Sequence, residues 1–191
     1  NQDVLVLPDN AVPTNSLDAV AEWFKPGKVI LTLDSSVCYA AYTGWMWSGS
    51  KGKNGYDTYW DNNSSTDDQQ IWANDPITAQ YSIDQIISST MHEAQFYVNM
   101  LPSDAVILSG KSSDLTRSYA VYRDVPDRGR LVMFGPFLTP SADQYSMIRE
   151  ALVAPPREQR ILVASPNGGE TYESGDHIAV IFTAEGSWSG S

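Results

Sequence analysis

Two unbroken apolar runs separated by one helix-length segment constrain this chain more than any other feature. Asp3-Val4-Leu5-Val6-Leu7-Pro8 is a β-branched and leucine run stopped by proline, and Val29-Ile30-Leu31-Thr32-Leu33 is a second. Neither alternates apolar with polar, so each reads as a buried strand. Between them Leu17, Val20, Ala21 and Phe24 recur at helical spacing, with Thr14, Asn15 or Ser16 available as a cap and Pro26-Gly27 as a stop. A strand, a helix and a strand within about 30 residues is the βαβ unit of a parallel sheet.

The second strand leads through Asp34, Ser35 and Ser36 into a short helix predicted over 37–42 and ended by Gly44. Residues 45–70 are rich in Gly, Asn, Ser, Asp and aromatics without a period, which predicts a long irregular excursion over the sheet edge. Ile83, Ile86 and Ile87 leave helix and strand open. Three strands follow, at 105–108, 119–123 and 130–134, separated by polar or Gly-containing turns. An amphipathic helix over 141–152 closes the domain. Ala154-Pro155-Pro156-Arg157-Glu158 reads as a stiff linker. The layout predicted is therefore an α/β domain at 1–153, a Pro-rich linker at 154–160, and a β-module beginning at 161–191. That last stretch offers two strands around Ser165-Pro166-Asn167-Gly168-Gly169-Glu170, too few for an independent core, so the chain is expected to be an excerpt of a longer polypeptide.

Charge narrows the partners. Twelve basic against 23 acidic residues give a formal charge of −11, with no Lys/Arg cluster, which removes the attraction that nucleic acid and anionic membranes rely on. The longest apolar runs fall far short of the roughly 20 residues of a membrane helix. The single cysteine, Cys38, excludes an intrachain disulfide and a multi-Cys metal site. No Gly-rich phosphate loop is present, so no nucleotide cofactor is expected. Asp57, Asp61, Asp67 and Asp68 do not follow the spacing of a calcium loop. Asn62-Asn63-Ser64-Ser65 holds two overlapping glycosylation sequons, which makes Asn62 and Asn63 candidate glycan acceptors on a polar loop.

The strand order, the turn Leu33-Asp34-Ser35-Ser36-Val37-Cys38 and the late strand Gly129-Arg130-Leu131-Val132-Met133-Phe134-Gly135-Pro136-Phe137 together resemble the class I glutamine amidotransferase-like superfamily over roughly residues 3–152. The resemblance implies a flavodoxin-like parallel sheet with flanking helices. It also implies a Cys nucleophile at a Gly-x-Cys-x-Gly elbow and a His-x-Glu pair after the late strand. This chain carries Ser36 at the elbow, Cys38 two residues further on, and Gly135-Pro136-Phe137 in place of His-x-Glu. A serine hydroxyl needs a positioned base to attack, so the resemblance implies a domain whose chemistry is lost. The enzyme alternative is a hydrolase or acyl transferase that uses Ser36 or Cys38 with His92, oriented by Glu93 or Asp34. The bland alternative makes Ser35 and Ser36 a helix cap with its neighbour, and Cys38 a small buried packing residue.

Ser165-Pro166-Asn167-Gly168-Gly169-Glu170-Thr171-Tyr172, followed by Gly175 and an apolar strand ending at Phe182, resembles the opening of β-sandwich modules in secreted cell-wall and GPI-anchored proteins. That resemblance implies extracellular or cell-surface residence in a multi-module chain; separately, the unclosed strands of the C-terminal β-module are expected to pair across copies and so to self-assemble. Trp45, Trp47, Tyr56, Tyr59, Trp60 and Trp72 concentrate in the long excursion. They are either a loop folded on its own aromatic mini-core or a contact surface for other protein chains, copies of this chain or glycans. The function expected on these grounds is non-catalytic: a structural or contact module of a matrix protein.

Overall fold

The computed structural model describes residues 3–9, 12–62, 68–88, 94–135, 140–153, 160–165 and 181–185. The chain divides into two compact units, Asn1–Pro156 and Arg157–Ser191. The first unit is built on a nine-stranded mixed sheet, strongly curled. Its strands are β1 (Val4–Leu7), β2 (Val29–Leu33), β3 (Trp60–Asn62), β4 (Gln69–Ile71), β5 (Ile86–Ile87), β6 (Ala94–Tyr97), β7 (Val106–Lys111), β8 (Asp114–Asp124) and β9 (Arg130–Phe134). The helices are α1 (Leu17–Trp23), α2 (Cys38–Thr43) and α3 (Ala142–Val153). The main path runs β1-β2-β9-β8-β7-β4-β5, while β6 branches from β8 and carries β3.

The βαβ unit forms as its apolar runs dictate. β1 pairs parallel with β2 from Val4↔Val29 to Leu7↔Thr32, with α1 as the crossover. β9 adds parallel to the other edge of β2, from Val29↔Arg130 to Leu33↔Phe134. Along β2, Ile30 enters one core and Val29 and Leu31 the other; along β9, Leu131 and Met133 oppose Val132 and Phe134 in the same way. Both faces of this central pair are buried, which is why its sequence is continuously apolar. Phe24, Tyr39, Trp45, Met46 and Trp47 fill the first core. Ile71, Ile77, Leu108, Met147 and Ala151 fill the second.

The flavodoxin-like parallel sheet with flanking helices is not found. Among the described residues, only the β1–β2 and β2–β9 strand pairings are parallel, and the other strand pairings of this sheet are antiparallel. The connection lengths give the reason. Two residues join β7 to β8 and five join β8 to β9, whereas a parallel crossover needs a dozen or more. The turns between the late strands therefore fold them into a meander that curls the sheet, and helices cover much less of it than a doubly wound fold requires.

In the second unit β10 (Arg160–Ser165) and β11 (Ile181–Glu185) pair antiparallel, with a register shift between Val163 and Ser165. Residues 154–159 and 166–180, which hold His177 and most of the expected Pro-rich linker and Ser-Pro-Asn-Gly-Gly-Glu motif, lie outside the described residues.

Candidate functional site

Ligands of parallel α/β units collect beyond the carboxyl ends of the strands. There, past β1 and β2, the first unit opens a cleft of about 410 Å³ lined by Val12, Thr14, Ser35, Cys38, Tyr42, Asn54 and Trp60. Three chain segments converge on it. Val12 and Thr14 come from the approach to α1, and Ser35, Cys38 and Tyr42 from the turn after β2 and from α2. Asn54 and Trp60 come from the aromatic excursion. None of the seven lining side chains is charged, in a chain that is 18% Asp, Glu, Lys and Arg.

The turn itself differs from the elbow that the resemblance implied. The left-handed residue is Asp34, with φ 54°, and not Ser36 two positions later. Ser36 is fully buried. Its Oγ accepts from Leu33 N–H at 2.8 Å and lies 2.7 Å from both the Leu7 and the Leu33 carbonyl oxygens, to which it donates. This hydroxyl pins the end of β1 to the turn after β2, and its hydrogen is already committed to two carbonyls.

Cys38 does line the cleft, half-buried at the start of α2. Burial pushes its thiol up to about 11, outweighing the two backbone N–H groups at Cys38 and Tyr39 that favour the thiolate. At pH 8 only about one such thiol in a thousand is ionised. Alkylation by iodoacetamide is therefore expected to be slow at neutral pH and to accelerate about tenfold per pH unit between 8 and 10. Mass spectrometry of the singly modified chain measures this, and a rate that levels off near pH 7 would contradict it. His92 and Glu93 lie outside the described residues.

The aromatic set separates by burial. Trp45 packs on Phe24 with centroids 4.7 Å apart and meets the Tyr39 ring at 6.1 Å. Trp47 stacks on Tyr59 at 5.4 Å. Trp60 is buried and donates its indole N–H to the Asn54 carbonyl at 2.7 Å. Trp72 is half-buried and donates to Gln70 Oε1 at 3.2 Å. Trp45, Trp47 and Trp60 thus belong to the first core, packed with Phe24 and Phe96 from other elements rather than on a core of the loop's own. Tyr56 stands out: it is 40% exposed and meets Trp60 edge-on at 5.1 Å, beside the cleft. Asn62 is exposed at the end of β3, while Asn63 lies outside the described residues.

Sequence reasoning missed Thr14, Tyr42 and Asn54, which long-range packing brings together and no local pattern marks. It also underrated Asp34. An aspartate directly after a buried strand is a signal for a left-handed residue, because Asp tolerates that conformation better than most side chains. Among the described residues no three His, Cys, Asp or Glu side chains gather as a metal set, and no helix is long and apolar enough to cross a membrane. No family model matches the chain, and no curated protein matches it.

Proposed function

We propose that the first unit is a non-catalytic contact module of an extracellular, multi-module chain, and that its cleft takes a neutral polyhydroxyl ligand, a glycan of the surrounding matrix. The observation that carries this reading is the uncharged lining of the cleft. Thr14, Ser35, Tyr42 and Asn54 supply hydroxyl and amide groups that both donate and accept, while Val12 and Trp60 give an apolar floor. Tyr56 offers an exposed ring with a polar tip beside them. A carboxylate, phosphate or ammonium ligand would find no opposite charge among these side chains. Sugar rings, with apolar faces and hydroxyl edges, would find both hydrogen-bonding groups and apolar surface there.

The state of the candidate nucleophiles supports the non-catalytic half of the proposal. Ser36 has no exposed surface and a committed hydroxyl, and Cys38 is held as a neutral thiol. Extracellular residence is proposed from the Ser-Pro-Asn-Gly-Gly-Glu resemblance and the Asn62 sequon. The chemistry of the cleft, rather than the amidotransferase resemblance, carries the ligand class.

Cys38 provides the test, because a ligand in the cleft must shield it. Soluble cellotetraose, maltotetraose and chitotetraose are titrated against iodoacetamide alkylation at pH 9. At least one of them is expected to slow modification, and Tyr56→Ala to weaken that shielding about tenfold, the effect of losing one aromatic contact. Shielding by none of the three sinks the glycan reading. Esterase or glutaminase turnover that disappears in Ser36→Ala or Cys38→Ala sinks the non-catalytic one.

A further inference from the structure

The wall of the cleft that comes from the aromatic excursion turns at Asn54-Gly55. Gly55 is buried with φ +75°, and a Cβ built on it would stand 2.9 Å from the Ala41 Cβ of α2. The fold therefore requires glycine here twice over, for its left-handed backbone and for its close approach to the helix. The turn is held on both sides. The Gly55 carbonyl accepts from Thr58 and Tyr59 N–H at 3.2 and 2.9 Å, and the Asn54 carbonyl accepts the Trp60 indole N–H at 2.7 Å. Among the described residues no acceptor holds the Gly55 N–H itself.

An asparagine followed by glycine is open to attack from the next backbone nitrogen, because no Cβ on glycine stands between that nitrogen and the side-chain amide carbon. Asn54 is exposed, so water reaches it. Its Oδ1 accepts from Tyr56 N–H at 3.2 Å, which places a donor on the oxygen where negative charge develops when the carbon is attacked. We propose that Asn54 is a self-modification site that converts the neutral cleft into an anionic one. The Gly55 nitrogen bonds to Asn54 Cγ as its proton passes through water to Nδ2; the Cγ–Nδ2 bond breaks, ammonia leaves and a cyclic succinimide remains. Water then opens either carbonyl of that ring and leaves an aspartyl or isoaspartyl residue at position 54. Both products put a carboxylate among side chains that otherwise carry no charge. For its effect on a ligand the inference rests on the glycan reading: the carboxylate keeps its own water and no longer donates, so sugar binding weakens.

The full chain is aged at pH 8, folded in buffer and unfolded in guanidinium, and conversion at Asn54 is followed by peptide mapping. Asn167-Gly168, the other such pair in the chain, lies outside the described residues and is read from a separate peptide. The folded chain is expected to convert at Asn54 within about threefold of the unfolded rate, or faster. A folded chain slower by more than that shows a turn that protects Asn54, and the inference is overturned. Asn54→Gln, whose longer side chain cannot close the same ring, is the unconverted control. Charge is read separately, from the rates at which iodoacetate and neutral iodoacetamide alkylate Cys38 across the same cleft. The iodoacetate-to-iodoacetamide ratio is expected to fall about twofold in Asn54→Asp and in the purified converted chain, and an unchanged ratio overturns the change to an anionic cleft. Oligosaccharide shielding of Cys38 is expected to weaken about tenfold in both, and undiminished shielding overturns the effect on the ligand. If no oligosaccharide shields wild type, the glycan reading falls by itself, and the ageing rate and the alkylation ratio still decide the role of Asn54.

Discussion

Replacing Arg130 by alanine is expected to lower folding stability by about 3 kcal/mol. Arg130 opens β9, the strand parallel to β2 at the centre of the sheet, yet its side chain is only 2% exposed. Its guanidinium engages Asp124 through Nε and Nη2 at 2.8 and 3.0 Å. The group also lies 4.2 Å over the Tyr122 ring. Tyr122 in turn donates to Asp75 Oδ2 at 2.7 Å, and Asp75 Oδ1 accepts from Ile77 N–H at 3.0 Å. One cation thus ties β9 to β8 and, through Tyr122, to the turn after β4. Truncation removes the fork and the ring contact and leaves a cavity.

Arg130→Lys is not a conservative rescue, since an ammonium cannot form the paired bonds to Asp124 or lie flat on Tyr122. It is expected to lose about 2 kcal/mol. Asp124→Asn should cost less, about 1 kcal/mol, because Asp124 is 33% exposed and water screens its half of the pair. Urea unfolding of the first unit, followed by tryptophan fluorescence, ranks the three variants. An Arg130→Lys variant as stable as wild type would show that charge alone matters and that the fork and the ring contact contribute nothing.

The same residue shows how far the sequence could be read. The run from Arg130 to Phe134 was legible as a strand to the residue, as was Val29–Leu33, because burial on both faces writes a continuous apolar string. That string gave no hint that the arginine at its head would itself be buried, since its partners stand in other segments: Asp124 across a turn and Tyr122 on the neighbouring strand. The same holds for β4. Gln69 is fully buried, donates to Ser109 at 2.6 Å and accepts from Gln144 at 3.0 Å. A core amide of this kind is invisible to apolar periodicity, so Gln69 and Gln70 read as the end of an irregular excursion rather than as strand.

The fold class departs from the sequence expectation for a related reason. Each late strand was identified from its own residues, whereas the direction of a strand is set by the length of the connection before it. The two-residue link between β7 and β8 was in plain view in the sequence, and weighed against the requirement of a crossover it dictates an antiparallel meander. In the cleft, Ser35 and Cys38 were legible because they follow a buried strand directly. Thr14 and Asn54 reach the same cleft only through the packing of α1 and α2 on the first core, which no window of local sequence contains.

Gly129→Ala is expected to cost about 3 kcal/mol, toward the upper end of what overpacking a tight site costs. Gly129 lies between β8 and β9, where the chain turns back beside the entry of β2. A Cβ built there would stand 2.0 Å from the Lys28 carbonyl oxygen and 2.7 Å from the Phe24 ring. The carbonyl cannot yield cheaply. Lys28 O accepts the Arg130 N–H at 2.8 Å, the bond that starts the β2–β9 pairing, and Phe24 is fully buried in the first core. One methyl group therefore strains the sheet register and the core together. Gly27 gives the comparison: its φ is +87° and nothing lies within 4 Å of a built Cβ, so Gly27→Ala carries only the backbone penalty, about 1 kcal/mol. If the effect of glycine loss were conformational alone, the two variants would unfold at similar urea concentrations. The close approach of β9 to Lys28 predicts that Gly129→Ala unfolds well before Gly27→Ala, and that it also lowers the hydrogen-exchange protection of the Arg130 amide, which Gly27→Ala leaves intact.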